Sequence, residues 1–275
     1  MKRAVCIGDN TIDRYLAPVG RDLVGGSCVN VAVGLRHSGL AASYVGPVGD
    51  DPAGAQVLAE IAAQGVDISH VAVVPGCATA LTEIVLLPRG ERRFMSELYD
   101  IFDSYQPSAG AWASVISASL VHTSRLPHLF DRLRAAARKG GFRLSCDFST
   151  FEPPPDLEGL DVAFRSADES TDPEHALALA AVTAERGAAL VVVTLGKAGS
   201  VAVTADGSTW QDAVEVDPVV DTCGAGDAFI AGYLERWLAR ASIADCLAAG
   251  ADAGARACTA VGAFPQSRSR APSIR

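Results

Sequence analysis

Lysine is scarce in this 275-residue chain: three residues, Lys2, Lys139 and Lys197, among 23 basic side chains set against 32 acidic ones. A formal net charge of −9 suits a phosphate backbone poorly, which argues against nucleic acid as a partner. It leaves a small phosphate ligand open, because backbone amides and one local cation can hold it. No apolar run approaches the roughly 20 residues of a membrane span, and "MKRAVCIGDN" reaches glycine and aspartate too early for a signal peptide. Cys-x-x-Cys pairs and close His/Cys clusters are missing. The seven cysteines (Cys6, Cys28, Cys77, Cys146, Cys223, Cys246 and Cys258) stand singly and are odd in number, which argues against a disulfide framework or structural zinc and for a reducing, cytoplasmic setting. Also absent are the GxGxxG dinucleotide fingerprint, the GxxxxGKS phosphate loop and the GxSxG elbow of a serine hydrolase.

What is present is a βα rhythm. "RAVCIG" reads as a buried strand, "GGSCVNVAVGLRHSG" as a glycine-led helix, "AASYVGPVG" as the next strand and 51–66 as a second helix with Asp51 at its cap and Gly65 at its stop. The rhythm resumes from 119, with helices at 127–139 and 173–186 and strands at 142–149, 160–166 and 189–196. A hairpin at 200–214 and helices at 227–239 and 243–260 follow. Alternation of this kind predicts an α/β fold with a mainly parallel sheet. Between these stretches "TIDRYLAPVGRDLV", "HVAVVPG" and "TALTEIVLLPRGERRFMSEL" read as short strands without helices. They predict a small β lid from 13–24 and 70–103, laid on a core of 1–12, 25–69 and 104–263, with a disordered tail at 264–275. The exposed lid face would need a ligand or a second copy of the chain, as a homodimer, to cover it.

Five places carry candidate chemistry. In "DTCGAGDAFIAG" a helix is predicted to begin near Gly226 or Asp227, so the amides of 224–227, including Gly224, Ala225 and Gly226, are the unpaired first-turn donors. They can receive an anion, and Asp227 then stands where it can accept a proton from an attacking hydroxyl; otherwise Asp227 is an ordinary helix cap. In "GDNTID", Asp9 and Asp13 lie at the end of the first strand, where open α/β sheets bind ligands, and can grip a polyol or remain solvated loop acids. In "GGSCVN", Gly25 and Gly26 admit a sugar to the backbone while Asn30 either meets its hydroxyls or ties down the loop. Thr194, Gly196, Lys197 and Gly199 of "VTLGKAGS" suit a nucleotide, or are a hairpin turn. Glu169 of "RSADES" suits a magnesium ion held through water, with Asp168 or Asp172 as substitutes.

These residues together resemble the ribokinase-like (PfkB) carbohydrate kinases over nearly the whole chain, with "GGSCVNVAVGLRHSG" similar to the first family signature and "DTCGAGDAFIAG" to the second. The resemblance implies a three-layer α/β/α sandwich with a β-sheet lid, ATP as donor, Mg²⁺ as cofactor and a sugar alcohol group as acceptor. It implies Asp227 as catalytic base, the Ala225 and Gly226 amides as the anion hole, and Asp13, Gly26 and Asn30 on the sugar. It also places Thr194 to Gly199 on the nucleotide and Asp221 with Thr222 near its phosphates. The family's Asn-x-x-Glu is here Ser166-Ala167-Asp168-Glu169, so the Glu survives and the Asn is lost. The short chain, "IGDNTIDRY", "VHTSRLPH" and "CDFS" are most similar to members acting on fructosyl amino acids such as fructoselysine, at the 6-hydroxyl. Ribokinase- or fructokinase-type action on a bare sugar is the alternative, and a non-catalytic sugar- or nucleotide-binding regulator a further one. His122 and His128 follow or lie on a strand facing the expected cleft and either contact a substituted sugar or pack; Arg92 and Arg93 sit by the lid turn, exposed or meeting a carboxylate.

Overall fold

The computed structural model describes residues 2–149, 151–167 and 172–266. Strand β1 (Arg3–Ile7) opens the large sheet; β2 (Thr11–Tyr15) and β3 (Arg21–Gly25) leave it for a smaller one, and α1 (Ser27–His37) returns the chain to β4 (Ala41–Val45). A short β5 (Pro47–Gly49) leads into α2 (Pro52–Ala63) and β6 (Ala72–Val74), after which β7 (Leu81–Leu86) and β8 (Arg92–Leu98) form a hairpin. The core resumes through α3 (Ala109–Ile116), β9 (Leu120–Ser124), α4 (Pro127–Arg138), β10 (Arg143–Asp147), β11 (Val162–Ser166), α5 (Pro173–Glu185) and β12 (Val191–Thr194). A hairpin of β13 (Ser200–Thr204) and β14 (Gly207–Gln211) and the helices α6 (Ala225–Leu238) and α7 (Ile243–Ala257) complete it.

The large sheet runs β14-β13-β12-β11-β10-β9-β1-β4, parallel from β4 to β12 and antiparallel at its β13–β14 edge. One face is packed by α1, α2, α6 and α7 and the other by α3, α4 and α5, giving the three-layer α/β/α sandwich. Helices on both faces explain strands without polar alternation: Val191, Val192 and Val193 are consecutive and all fully buried. Because the strands are parallel, the ends of β1, β9, β10, β11 and β12 converge on one edge, and α1 and α6 bring their N-termini there. That edge is where an open α/β sheet meets its ligand.

The smaller sheet runs β3-β2-β7-β8. "HVAVVPG", expected within it, instead supplies β6, which pairs in parallel with β5 in a separate two-stranded ribbon. β6 is three residues long, too short for alternation to say which sheet it joins. Helix α3, capped by the Ser108 hydroxyl accepting from Ala111 N–H at 3.2 Å, lies in a stretch that sequence reading left without an element. Of the expected tail, Phe264 is buried and Gln266 takes hold of β3, accepting from Val24 N–H through Oε1 and donating to Val24 O through Nε2. Residues 264–266 are therefore packed against the fold, Phe264 in the core and Gln266 on the smaller sheet, and 267–275 lie outside the described residues. No described helix is long and apolar enough to cross a membrane.

Candidate active site

The site is assembled by two helix N-termini meeting over the sheet edge. Asp9, just past β1, directs both carboxylate oxygens into α1, accepting from Ser27 N–H at 2.8 Å and Cys28 N–H at 3.2 Å. Gly26, the residue before α1, has no side chain to cap those amides. Asp9 is thus the remote cap of α1, with one further acceptor site left on each oxygen. Capping fixes the first turn of α1 and with it Asn30, whose Nδ2 donates to Asp227 Oδ2 at 2.8 Å. A carboxylate only accepts, so the amide nitrogen must face it. Asn30 Oδ1 is left buried with no partner among the described residues, an acceptor waiting for a hydroxyl.

Asp227 stands in the first turn of α6, where the helix dipole favours its charge. Burial outweighs that and pushes its pKa up to about 7; the Asn30 bond opposes the rise, and the carboxylate of Asp147 adds to it. Asp13 on β2 is pushed up to about 8, first by burial and then by Asp227, against the lowering influence of Arg92. A side chain at position 25 would meet the Asp13 carboxylate at 2.0 Å, so only glycine fits beside it. Asp147, at the end of β10, is the site residue that sequence reading missed. Its Oδ1 accepts from Ser149 N–H and its Oδ2 lies 3.5 Å from the Ser27 hydroxyl, and burial raises its pKa. An acid closing a strand of a parallel sheet was the available signal.

The loop before α6 is held from below. Asp221, fully buried, accepts from Tyr15 O–H at 2.6 Å, Gly262 N–H at 2.9 Å and Cys223 N–H at 2.8 Å. Gly224 caps α6 with φ +73°, a conformation that disfavours any side chain, and a Cβ there would also strike Ala263 at 2.3 Å. The turn folds the Ala225 N–H back onto Thr222 O at 3.2 Å, so Ala225 is less available to an anion than its neighbours. Above Gly226 there is open space. Thr222 binds the β7–β8 turn, donating through N–H and Oγ1 to Gly90 O at 3.0 and 3.1 Å. Arg92 reaches from β8 to Thr222 O at 2.7 Å and Oγ1 at 3.1 Å. Arg92 thus ties β8 to the loop before α6 through a backbone carbonyl and a hydroxyl. Thr194 ends β12, with Gly196 and Lys197 in the 3-10 turn beyond it and Gly199 at φ +95° closing that turn.

Three expected residues lie elsewhere. His122 is fully buried inside β9, its Nδ1 3.0 Å from Ser145 Oγ and its ring edge-on to Phe164; burial lowers its pKa to about 3. It sits two residues short of the sheet edge and packs in the core. His128, in the first turn of α4, bonds Tyr105 O through Nε2 at 2.8 Å and fastens a loop. Asp172 caps α5, its Oδ1 accepting from His175 N–H at 2.8 Å. Glu169 and Asp168 fall outside the described residues. Among the described residues no group of three or more His, Cys, Asp or Glu side chains could hold a metal.

The model of the pfkB family of carbohydrate kinases matches residues 1–269. Fructoselysine 6-kinase of Escherichia coli (strain K12) is 35% identical over 260 residues, covering 93% of this chain and 97% of the relative. The fructosamine kinase FrlD of Bacillus subtilis (strain 168) is 30% identical over 269 residues, covering 95% and 93%. Among solved structures, ribokinase of Arabidopsis thaliana, complexed with ribose and ATP, superposes with a TM-score of 0.84 over 95% of this chain and 94% of that one, at 22% identity.

Proposed function

From the premise that the chain belongs to the pfkB family of carbohydrate kinases, whose activity is ATP-dependent phosphorylation of sugars, we propose that its acceptor is a fructosyl amino acid, phosphorylated at the 6-hydroxyl. Supporting the acceptor class are the relatives that bear the names fructoselysine 6-kinase and fructosamine kinase. Supporting the chemistry is one arrangement: a carboxylate with pKa pushed up to about 7, oriented by Asn30 at 2.8 Å, beside the open N-terminus of α6.

The acceptor hydroxyl approaches Asp227 Oδ1, since Oδ2 is occupied by Asn30. The hydroxyl oxygen bonds to the γ-phosphorus of ATP, its proton passes to Asp227, and the bond from γ-phosphorus to the bridging oxygen breaks with its electrons leaving on ADP. A base whose pKa lies near neutral combines the right protonation state with useful basicity. The Gly224 and Gly226 amides, at a helix start with no intrahelical acceptor, receive the charge that spreads over the phosphoryl oxygens. Asp13 and the free Oδ1 of Asn30 take other sugar hydroxyls. Thr222 and the Thr194 to Gly199 turn hold the nucleotide. When bound, Mg²⁺ would neutralise phosphate charge, with Glu169 the residue offered by the sequence to hold it through water. The four-stranded sheet acts as the lid, tied to the phosphate loop through Arg92.

The test is a panel of ADP-release assays with fructoselysine, other fructosyl amino acids, fructose, ribose and adenosine. Turnover should be strongest with a fructosyl amino acid, and Asp227→Asn should lower kcat about 10²- to 10⁴-fold with nucleotide binding retained. Strong turnover of a bare sugar alone would overturn the acceptor, near-normal activity of Asp227→Asn would overturn the base, and no substrate-dependent ADP release would leave a binding protein.

A further inference from the structure

Beside the sugar site, where β8 of the smaller sheet meets the end of β9, three side chains form a cluster that phosphoryl transfer does not use. Arg125 follows β9 directly and holds φ +53°, a backbone state that costs energy for a residue with a side chain. Its guanidinium lies flat over the Tyr99 ring, 3.8 Å from the ring centroid, and its Nη2 donates to Glu97 Oε1 at 3.0 Å. Its Nε is buried with no partner among the described residues. Tyr99 connects the cluster to the sugar: its hydroxyl is 3.0 Å from Thr82 Oγ1, which is 3.2 Å from Thr11 Oγ1, and Thr11 pairs with Gly25. Asp9 and Asp13 add to burial in raising the Tyr99 hydroxyl pKa, so the two acids lie near that hydroxyl.

A neutral ketose gives this cluster nothing to recognise. A guanidinium stacked on an aromatic ring matches a carboxylate, which can replace Glu97 on Nη2; the glutamate beside it matches an ammonium. Resting on the acceptor class proposed above, we propose that Arg125 and Glu97 form a reader of the zwitterionic α-amino acid head of a fructosyl lysine-type acceptor, Arg125 taking the carboxylate and Glu97 the ammonium. Free, the two pair with each other across partly exposed side chains, a contact weak enough to exchange for the ligand's opposite charges. Fructoselysine presents such a head at the end of four methylenes, far enough from the ketose to lie outside the phosphoryl-transfer centre. Arg125 and Glu97 are specificity determinants that stand clear of the reacting atoms.

The experiment compares four acceptors: fructoselysine, its decarboxylated analogue fructosyl-1,5-diaminopentane, its deaminated analogue fructosyl-6-aminohexanoate, and fructose. In the wild-type protein either truncated analogue should show a KM about tenfold above that of fructoselysine. Arg125→Gln should raise KM about tenfold for the two acceptors that carry the carboxylate, and so erase the penalty for its removal. Glu97→Gln should do the same for the ammonium. A latch that merely fastens the two sheets would change all four acceptors alike, and that uniform result, or no change in either variant, overturns the proposal. Should the wild-type protein turn over fructose and none of the fructosyl compounds, the acceptor class falls and this reader with it. That outcome is distinguished from failure of the reader alone, because it needs no variant to be seen.

Discussion

At the scale of single residues the site is governed by two carboxylates that the fold forces toward neutrality. Asp227 is pushed up to about 7 and Asp13 to about 8, burial being the largest cause for both. A base must be ionised to work, so kcat/KM should fall as pH drops below about 7, approaching tenfold per pH unit, and level off above it. Stability should move the other way. Carboxylates whose pKa is higher folded than unfolded contribute stability that is fully present below the unfolded value and is lost as pH rises through the folded one. Asp227→Asn removes that loss, so its melting temperature should exceed wild type by more at pH 8 than at pH 5; an equal gap at both would refute the linkage. Asp227 and Asn30 were legible in the sequence because local backbone pattern, glycine turn then helix, announces them. Asp147 was not, since its approach to Asp227 depends on the neighbouring strand. His122 misled for the same reason: in a strand buried on both faces, alternation does not separate a core position from a cleft position.

At the scale of elements, α1 is a positioned part rather than a free helix. Its cap comes from another segment, Asp9, and its first turn carries Ser27 and Asn30 to the two acids they serve. Asp9→Ala would free two buried amides. Loss of a cap costs about 1 kcal/mol, typically within 0.5–2, which denaturant titration can measure, and kcat should fall with it because Asn30 loses its anchor. Stability loss with unchanged kcat would mean that α1 holds its place without the cap. The major helices and parallel strands were readable from periodicity and punctuation, as Asp51 capping α2 illustrates through its bond to Gly54 N–H at 2.7 Å. Elements of three to eight residues were less so: β6 gave too short a pattern to choose its partner, and α3 is an alanine-rich stretch with no charged residue to mark an outer face.

At the scale of the whole molecule, the eight-stranded and four-stranded sheets are joined where the β7–β8 turn meets the loop before α6. Strand β8 is exposed throughout, with Phe94, Met95 and Leu98 each at least half open, so this edge of the smaller sheet has little packing of its own. At the β7–β8 turn it is attached to the core through Arg92 and the Gly90 carbonyl, both on Thr222. On the proposed reading, acceptor under the smaller sheet and nucleotide at Thr222 would bear on one shared joint. Two ligands that share a joint obey reciprocity: whatever factor the sugar adds to nucleotide affinity, the nucleotide must return to the sugar. Calorimetric titration with a non-hydrolysable ATP analogue should show affinity rising about fivefold or more when acceptor is present, a factor that Arg92→Ala should reduce to near one. Unaltered coupling in that variant would place the joint elsewhere. The wider consequence, if that coupling is measured, concerns economy of ATP in a cell that lacks the sugar: with the joint half-assembled, nucleotide would bind loosely and depart unhydrolysed, so idleness would be built into the Arg92 contact itself.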